Sequence, residues 1–326
     1  MGLLSNNKIA NIEIQDYVIR YSEIRHNKKP IIVTNINQHY LPEGIVENGK
    51  VVNHELFLRT LRKCVRKWNL KGKQIRFIVP DSSVIVRTVQ VPANIEEEEI
   101  KGHIYFELGH SIHLPFDNPV IDTAILEKNE EFQQVLLVAS PTELIDLYQV
   151  FFENEKTNPI VADISALCQY RLFYHYDLTN SKDNYLLVQF NVKSVTLSIF
   201  EKHKPVFSQQ ITIPYLDDTL FQQIGSLTKE QFNIKKMLLA FEEVYTEIER
   251  VLRFYQYSLN KGDKKITKFL ATGDHPYINE VLDGVKNRMD QIPVITLDPR
   301  TIQTTKDVKI DYQFYNVIGL AMKEGF

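Results

Sequence analysis

A chain of 326 residues exceeds the roughly 250–300 at which a single hydrophobic core stops growing, so two or more domains are expected. Its 44% hydrophobic and 24% charged residues are those of a folded globular protein and exclude a disordered one. The net charge of −3 supplies no overall basic field to recruit nucleic acid or an anionic membrane.

Two cysteines, Cys64 and Cys168, form neither a CxxC pair nor a metal-like spacing, which suits a reduced, cytosolic setting. The opening MGLLSNNKIANIEIQ is too polar for a signal peptide, and Asn6 stands where a myristoylation signal needs Ser or Thr. No run approaches the roughly 20 apolar residues of a membrane span, so a soluble protein is expected.

Residues 8–35 read as a β-meander, because KIANIEIQ, YVIRYSEI and PIIVTNI are rich in β-formers and His26–Pro30 supplies a turn. Asn48-Gly49, between Ile45-Val46 and Val51-Val52, predicts a tight hairpin. Asn53 is placed to cap a helix from His54 to Trp68 with Phe57, Leu58, Leu61, Val65 and Trp68 on one face. KQIRFIVP and VIVRTVQVP are strands ended by Pro80 and Pro92. Asn94 to Glu97 has capping-box spacing and predicts a helix through about His110, its dipole favouring Glu96–Glu99 in the first turn. VIDTAILEK and QQVLLVAS follow as strands, and Thr142 opens a helix to about Glu155. This β-α-β-β-α order over residues 84–155 describes a small α+β module inserted into the chain.

NPIVADISA and a helix from Ile164 to about Tyr174 precede a polar link, Leu178–Asn184, read as a domain boundary. The stretch Leu186–Ile213 is a strand pair with a charged turn. A helical region from about Asp217 to Leu259 follows, then strand KITKFLATG, a helix from Tyr277 to about Met289, the short strand VITL and a closing helix over YQFYNVIGLAM.

Two halves that each open on hairpins and close on helices fit the actin-like fold, and the local wording narrows this. The hairpin in LPEGIVENGKVVN leads into a helix. A strand and the pattern P-x-S-x-V-I-V-R-x-V-x-x-P then follow, carried by Pro80, Ser82, Val84 to Arg87, Val89 and Pro92. This succession resembles PilM, the actin-like family of type IV pilus assembly. EEEEIKGHIYFELGHSIHLPFDNPVIDTAIL, EIERVLRFYQYS, KFLATGDHPYINEVLDGV and YNVIGLAM fall in that family's order, so the likeness spans nearly the whole chain. The related FtsA shares the inserted module but normally ends in a membrane-binding helix. The ending Lys323-Glu324-Gly325-Phe326 favours PilM.

The resemblance implies an α/β, actin-like (ribonuclease H-like) two-domain fold with an inserted SHS2-type module. Residues 1–80 would form the first half of domain 1 and 81–157 the module. Residues 158–183 would return to domain 1, 184–310 form domain 2, and 311–326 close on domain 1. It further implies a cytoplasmic adaptor at the inner face of the cell membrane, serving a pilus or pseudopilus. Such an adaptor grips the N-terminal tail of a PilN-like membrane protein and meets other pilus platform proteins, with self-association left open. The tail would lie between the module and the first half. Phe106, Ile112, Leu114 and Phe116 are the candidate groove wall, each with a plain reading as core.

An actin-like cleft holds ATP and Mg²⁺ on two glycine-bearing turns whose N–H groups cradle phosphate while aspartate organises the metal. At the first turn this chain has Glu13-Ile14-Gln15-Asp16-Tyr17, without glycine, and the side chains of Gln15 and Tyr17 would crowd a phosphate. At the second, Gln189-Phe190-Asn191 replaces D-I-G, leaving Lys193 and Ser194 as a cation and a hydroxyl. The adenosine side keeps Thr272, Gly273 and Asp274 after a strand. The candidate cofactor set is thus Glu13, Gln15, Asn191, Lys193, Ser194, Thr272, Gly273 and Asp274, in a degenerate cleft. The expectation is a pseudo-ATPase without cofactor. Two alternatives stay open: a functional actin-like ATPase whose ATP/Mg state gates the partner, and an FtsA-like filament protein.

No catalytic or metal residue is assigned. His103, Glu107 and His110 share a helix face but lack the second Glu-x-x-His of a di-iron site, and no G-x-S-x-G elbow occurs. The densest basic patch, Arg59 to Lys67 with Lys71, Lys73 and Arg76, reads either as a solvated helix face or as a dock for an acidic partner or anionic lipid headgroups. Without interleaved aromatics it does not read as a nucleic-acid surface.

Overall fold

The computed structural model describes residues 9–25, 30–213, 233–305 and 308–323. β1 (Ala10–Gln15) and β2 (Val18–Arg25) are buried along nearly their whole length and pair antiparallel across the tight turn Asp16-Tyr17. β3 (Ile32–Tyr40) continues the meander. Asn48 and Gly49, with φ of 48° and 74°, turn the hairpin of β4 (Val46–Glu47) and β5 (Lys50–Val51), as a primed turn requires. Asn53 caps α1 (His54–Lys67) by accepting from Leu56 N at 3.0 Å. β6 (Gln74–Val79) then runs parallel to β1.

The expected β-α-β-β-α succession follows as β7 (Ile85–Pro92), α2 (Ile100–Glu107), β8 (Pro119–Lys128), β9 (Phe132–Pro141) and α3 (Thr142–Asn154). One helix start differs from expectation. Asn94 caps nothing: a 3₁₀ turn over Glu97–Glu99 comes first, and the α-helix begins at Ile100, whose side chain enters a small core with Ile104, Val91, Val135 and Leu137. Burial of Ile100 and Ile104, not the polar capping pattern, sets the register. The apolar face of α3 packs on the first half, where Tyr148, Phe151 and Phe152 meet Phe57 and Phe77. Each such buried side chain contributes about 1.5–3 kcal/mol.

β10 (Asn158–Ile164) lies parallel to β6, and α4 (Ser165–His175) follows. The second half repeats the plan with β11 (Tyr185–Phe190), β12 (Ser194–Glu201), β13 (Lys204–Thr212), α5 (Ile234–Arg253), β14 (Lys268–Thr272), α6 (Ile278–Arg288) and β15 (Val294–Ile295). The helix read from about Asp217 is described only from Ile234, and it ends in a π-helical turn, Phe254–Leu259. β16 (Gln303–Thr304), which the sequence does not announce, adds a parallel edge to β3, and α7 (Tyr315–Ala321) closes the fold.

Strand order makes the duplication plain. One sheet runs β10-β6-β1-β2-β3-β16, and the other contains β15-β14-β11-β12-β13 with the same parallel and antiparallel senses. The second sheet continues through β13 into β7, β9 and β8, so the module extends the sheet of the second half although its chain leaves from the first. α4 and α7 form a layer between the two sheets, where Tyr170, Phe173, Tyr315 and Ile318 share a core with Val33, Leu187 and Leu270. They cross closely at Gly319, where an added Cβ would meet Cys168 O at 1.8 Å. Among the described residues no helix is long and apolar enough to cross a membrane.

Candidate functional site

A cavity of about 410 Å³ opens between the two sheets. Its walls are the β1–β2 turn, the β4–β5 hairpin, the Pro80–Ser82 turn, Ser165 at the start of α4, and the β11–β12 turn. Five of the eight residues picked from sequence line it: Glu13, Gln15, Asn191, Lys193 and Ser194. Thr272, Gly273 and Asp274 lie behind the Phe190–Val192 turn instead. Gly273 has φ +135°, and a Cβ there would sit 2.1 Å from Phe190 O, while His275 N donates to the same oxygen at 3.0 Å. Gly273 therefore lets two backbones touch. Thr272 is fully buried.

Asp274 points inward and joins the halves. Its Oδ1 accepts from Val192 N at 3.2 Å, and its Oδ2 accepts from the Tyr17 hydroxyl and the Arg20 guanidinium. Arg20 also reaches Glu13 Oε2 at 3.4 Å, and Glu13 Oε1 accepts from Gln15 at 2.7 Å and Asn316 at 2.5 Å. The side chains of Arg20, Glu13 and Asp274 are only 2–4% exposed, so the ion cluster works in a poorly screened interior. Burial raises the Glu13 pKa against the opposing pull of Arg20 and the hydrogen bonds of Asn316 and Gln15. Burial, then the neighbouring Asp274, pushes the Tyr17 phenol well above its ordinary value. Burial alone would lower Arg20, yet Asp274, Tyr17 and Glu13 together raise it, which keeps the guanidinium charged.

A second polar group crosses the cleft floor. Asp81, just beyond β6, accepts from Ser165 Oγ at 2.6 Å and from Thr196 Oγ1 on β12 at 2.8 Å. Gln189 donates to Ser165 Oγ and accepts from Gln169, both at 3.1 Å. Burial raises the Asp81 pKa, opposed by the two hydroxyl donors. Asp16 is occupied as well, accepting from Asn48 N at 2.8 Å and Gly49 N at 2.9 Å. Around the cavity, Glu13, Asp16, Glu43, Glu47 and Asp81 thus face one lysine, Lys193.

Sequence reasoning found the turns and expected Gln15 and Tyr17 to crowd the first one; the structure turns Gln15 to Glu13 and Tyr17 to Asp274. It missed Arg20, Asp81, Ser165, Thr196 and Asn316. The only signal for Arg20 was a lone arginine within YVIRYSEI, and for Asp81 a carboxylate directly after a strand-ending proline.

Of the four groove candidates, Ile112 belongs to the module's core, and Leu114 and Phe116 are half-buried against it. Phe106 is 75% exposed, and Tyr105 and Val120 are exposed as well. Glu107 accepts from Ser111 Oγ at 2.5 Å. Among the described residues no group of three or more His, Cys, Asp or Glu is placed to hold a metal ion.

Comparison with known proteins adds to this geometry. The family model of type IV pilus assembly protein PilM matches residues 11–324. A solved structure described as a PilM-PilN type IV pilus biogenesis complex is similar with a TM-score of 0.78 at 15% identity, covering 97% of this chain and 98% of that one. The ethanolamine utilization protein EutJ from Carboxydothermus hydrogenoformans is similar at a TM-score of 0.51 and 10% identity, over 96% and 88% of the two chains. A Bacteroides thetaiotaomicron protein described as having an actin-like ATPase fold gives 0.43 at 12% identity, over 93% and 96%. At such identities the likenesses to the pilus complex and to EutJ concern fold alone, and the fold is the actin-like one that the sequence resemblance implied.

Proposed function

The chain belongs to the family of type IV pilus assembly protein PilM, and on that premise we propose that it acts as a cytoplasmic adaptor of pilus or pseudopilus assembly with a nucleotide-free cleft. Its partner is the N-terminal tail of a PilN-like membrane protein, which holds it at the inner face of the membrane. The similar fold of a protein solved in a PilM-PilN complex supports the choice of partner. Phe106, exposed on the module, is the side chain best able to receive an apolar residue of that tail.

The observation that carries the nucleotide-free reading is the placement of the Asp274 carboxylate. It takes the Val192 N–H, the Tyr17 hydroxyl and the Arg20 guanidinium, donors of the kind that a cleft of this fold offers to phosphate. The remaining lining does not suit Mg·ATP. Neither turn bears glycine, and Asp16, Glu43 and Glu47 line the cavity with one lysine, a field that repels a polyphosphate.

Isothermal titration with Mg·ATP, and separately with the tail peptide, tests the proposal: peptide heat and no nucleotide heat are expected. Asp274→Ala sharpens the test, since it frees Arg20 and the Val192 N–H for an added anion. This variant is expected to bind pyrophosphate where the wild type does not. Micromolar ATP binding by the wild type would overturn the nucleotide-free reading. A gating ATPase is the second reading, favoured by the cavity of about 410 Å³ beside Lys193 and Ser194.

A further inference from the structure

α1 turns Phe57, Leu61, Cys64 and Val65 into the first-half core and leaves its opposite side to solvent. That side carries Arg59, Arg62, Lys63, Arg66 and Lys67, all exposed, and Lys71 continues the row past the helix end. The spacing of three and four residues puts them on one stripe. From Arg59 to Lys67 the stripe runs about 12 Å at the helical rise. Glu55 is the one acid on the helix, and among the described residues Arg62 alone of the six has an ion-pair partner, Glu155 at 3.0 Å. Like charges at these spacings repel and destabilise the helix that bears them. Their field reaches a neighbour: after burial, Lys67 and Lys63 are what lowers the pKa of His39 on β3.

A rigid row of exposed cations, of which Arg62 is paired, on a chain of net negative charge is complementary to an anionic surface. We propose that the exposed face of α1 docks on the anionic headgroups of a phospholipid membrane. No exposed Phe, Tyr or Trp sits on α1 to stack a base, which disfavours nucleic acid. A straight row engages a flat charged plane along its whole length at once. The choice of a membrane over an acidic protein rests on the proposed tail capture, which already brings the chain to a membrane.

Each lysine or arginine at such a surface strengthens binding about fivefold. The contact decays within a Debye length of about 8–10 Å at physiological salt. It is weak alone and gains its effect by adding to the tail contact. It also orients the molecule, with α1 towards the bilayer.

The test is flotation of the full chain with phosphatidylcholine vesicles containing about 30% phosphatidylglycerol, at about 0.05 M and 0.5 M salt. Binding to these vesicles at low salt, its loss at high salt, and no binding to pure phosphatidylcholine are expected. The variant Lys63→Glu/Lys67→Glu should bind more than about 25-fold more weakly, with a melting temperature no lower than that of the wild type. Lys235→Glu/Lys236→Glu on α5 should bind like the wild type. Equal binding by the α1 variant, equal binding to neutral vesicles, or tighter binding to a DNA duplex than to the anionic vesicles would overturn the proposal. Titrating both variants with the tail peptide separates the two readings. Peptide binding that survives the α1 reversal leaves tail capture standing whatever the vesicles show. Vesicle binding without peptide binding upholds the membrane face and removes the adaptor.

Discussion

The two halves repeat one strand order, yet they furnish the cleft with different material. The first half sends charged and phenolic side chains inward from its hairpin: Glu13, Tyr17 and Arg20. The second offers a backbone turn, Phe190 to Val192, backed by the close approach of Gly273 and completed by one carboxylate, Asp274. Each half's strand order rests on buried apolar strands and tolerates many side chains at a turn. A phosphate cradle rests on the absence of side chains and tolerates almost none. On the nucleotide-free reading proposed above, the same topology persists while its ligand chemistry gives way to a contact within the chain.

Breaking that contact should show the asymmetry most strongly. Arg20→Met leaves Glu13 and Asp274 buried without their cation and is expected to cost about 3–5 kcal/mol in urea unfolding. Lys264→Met in the second half, whose partner Glu201 is more exposed, should cost less than about 1 kcal/mol. Equal costs would show that the cleft cluster holds nothing together.

A pair of glycines gives a smaller and finer comparison. Gly319→Ala drives a methyl into the Cys168 carbonyl, rigid backbone of α4, and is expected to cost about 3 kcal/mol. At the matching crossing of α5 and α6, Gly284→Ala meets the Tyr245 hydroxyl at 2.1 Å. That side chain can swing aside, at the loss of its 3.0 Å bond to Val281 O, for about 1 kcal/mol. Thermal unfolding of both variants measures the difference, and equal losses would mean the two crossings are packed alike.

The smallest effect is in pH. The Glu13 pKa is raised on folding, so the folded state binds its proton more tightly than the unfolded chain does. Its contribution is fully present below the ordinary carboxylate value of about 4.3 and is lost as pH rises through the raised value. Glu13→Gln should remove that slope from a plot of unfolding midpoint against pH. Parallel profiles for the two proteins would place the proton elsewhere.

Most of the fold was legible because local rules settle it. Asn48-Gly49 turned a hairpin, Asn53 capped a helix, and period-two and period-3.6 runs became strands and helices. The failures have equally physical causes. Asn94 presented a capping pattern that the burial of Ile100 overrode, and β16 is two residues held by its neighbour β3. At the site, the missing glycines could be read directly. What replaced them could not, since Arg20 and Asp274 stand 254 residues apart, and Asp81 finds Ser165 and Thr196 at separations of 84 and 115. No local pattern couples such distances.

Ser208 and Val86 form the registered pair at the seam between β13 and β7. So short a backbone seam leaves the join to side chains, and Val86 and Leu136 of the module share a buried core with Leu187 and Phe200 of the second half. At the far end of β8 a polar clasp adds to this join, where Lys204 donates to Ile125 O and Lys202 meets Glu127 at 2.9 Å. That ion pair is exposed and yields to salt. The module is thus riveted to both halves, to the first through Tyr148, Phe151 and Phe152 and to the second through that shared core, and the outer ion pair is the rivet that salt loosens.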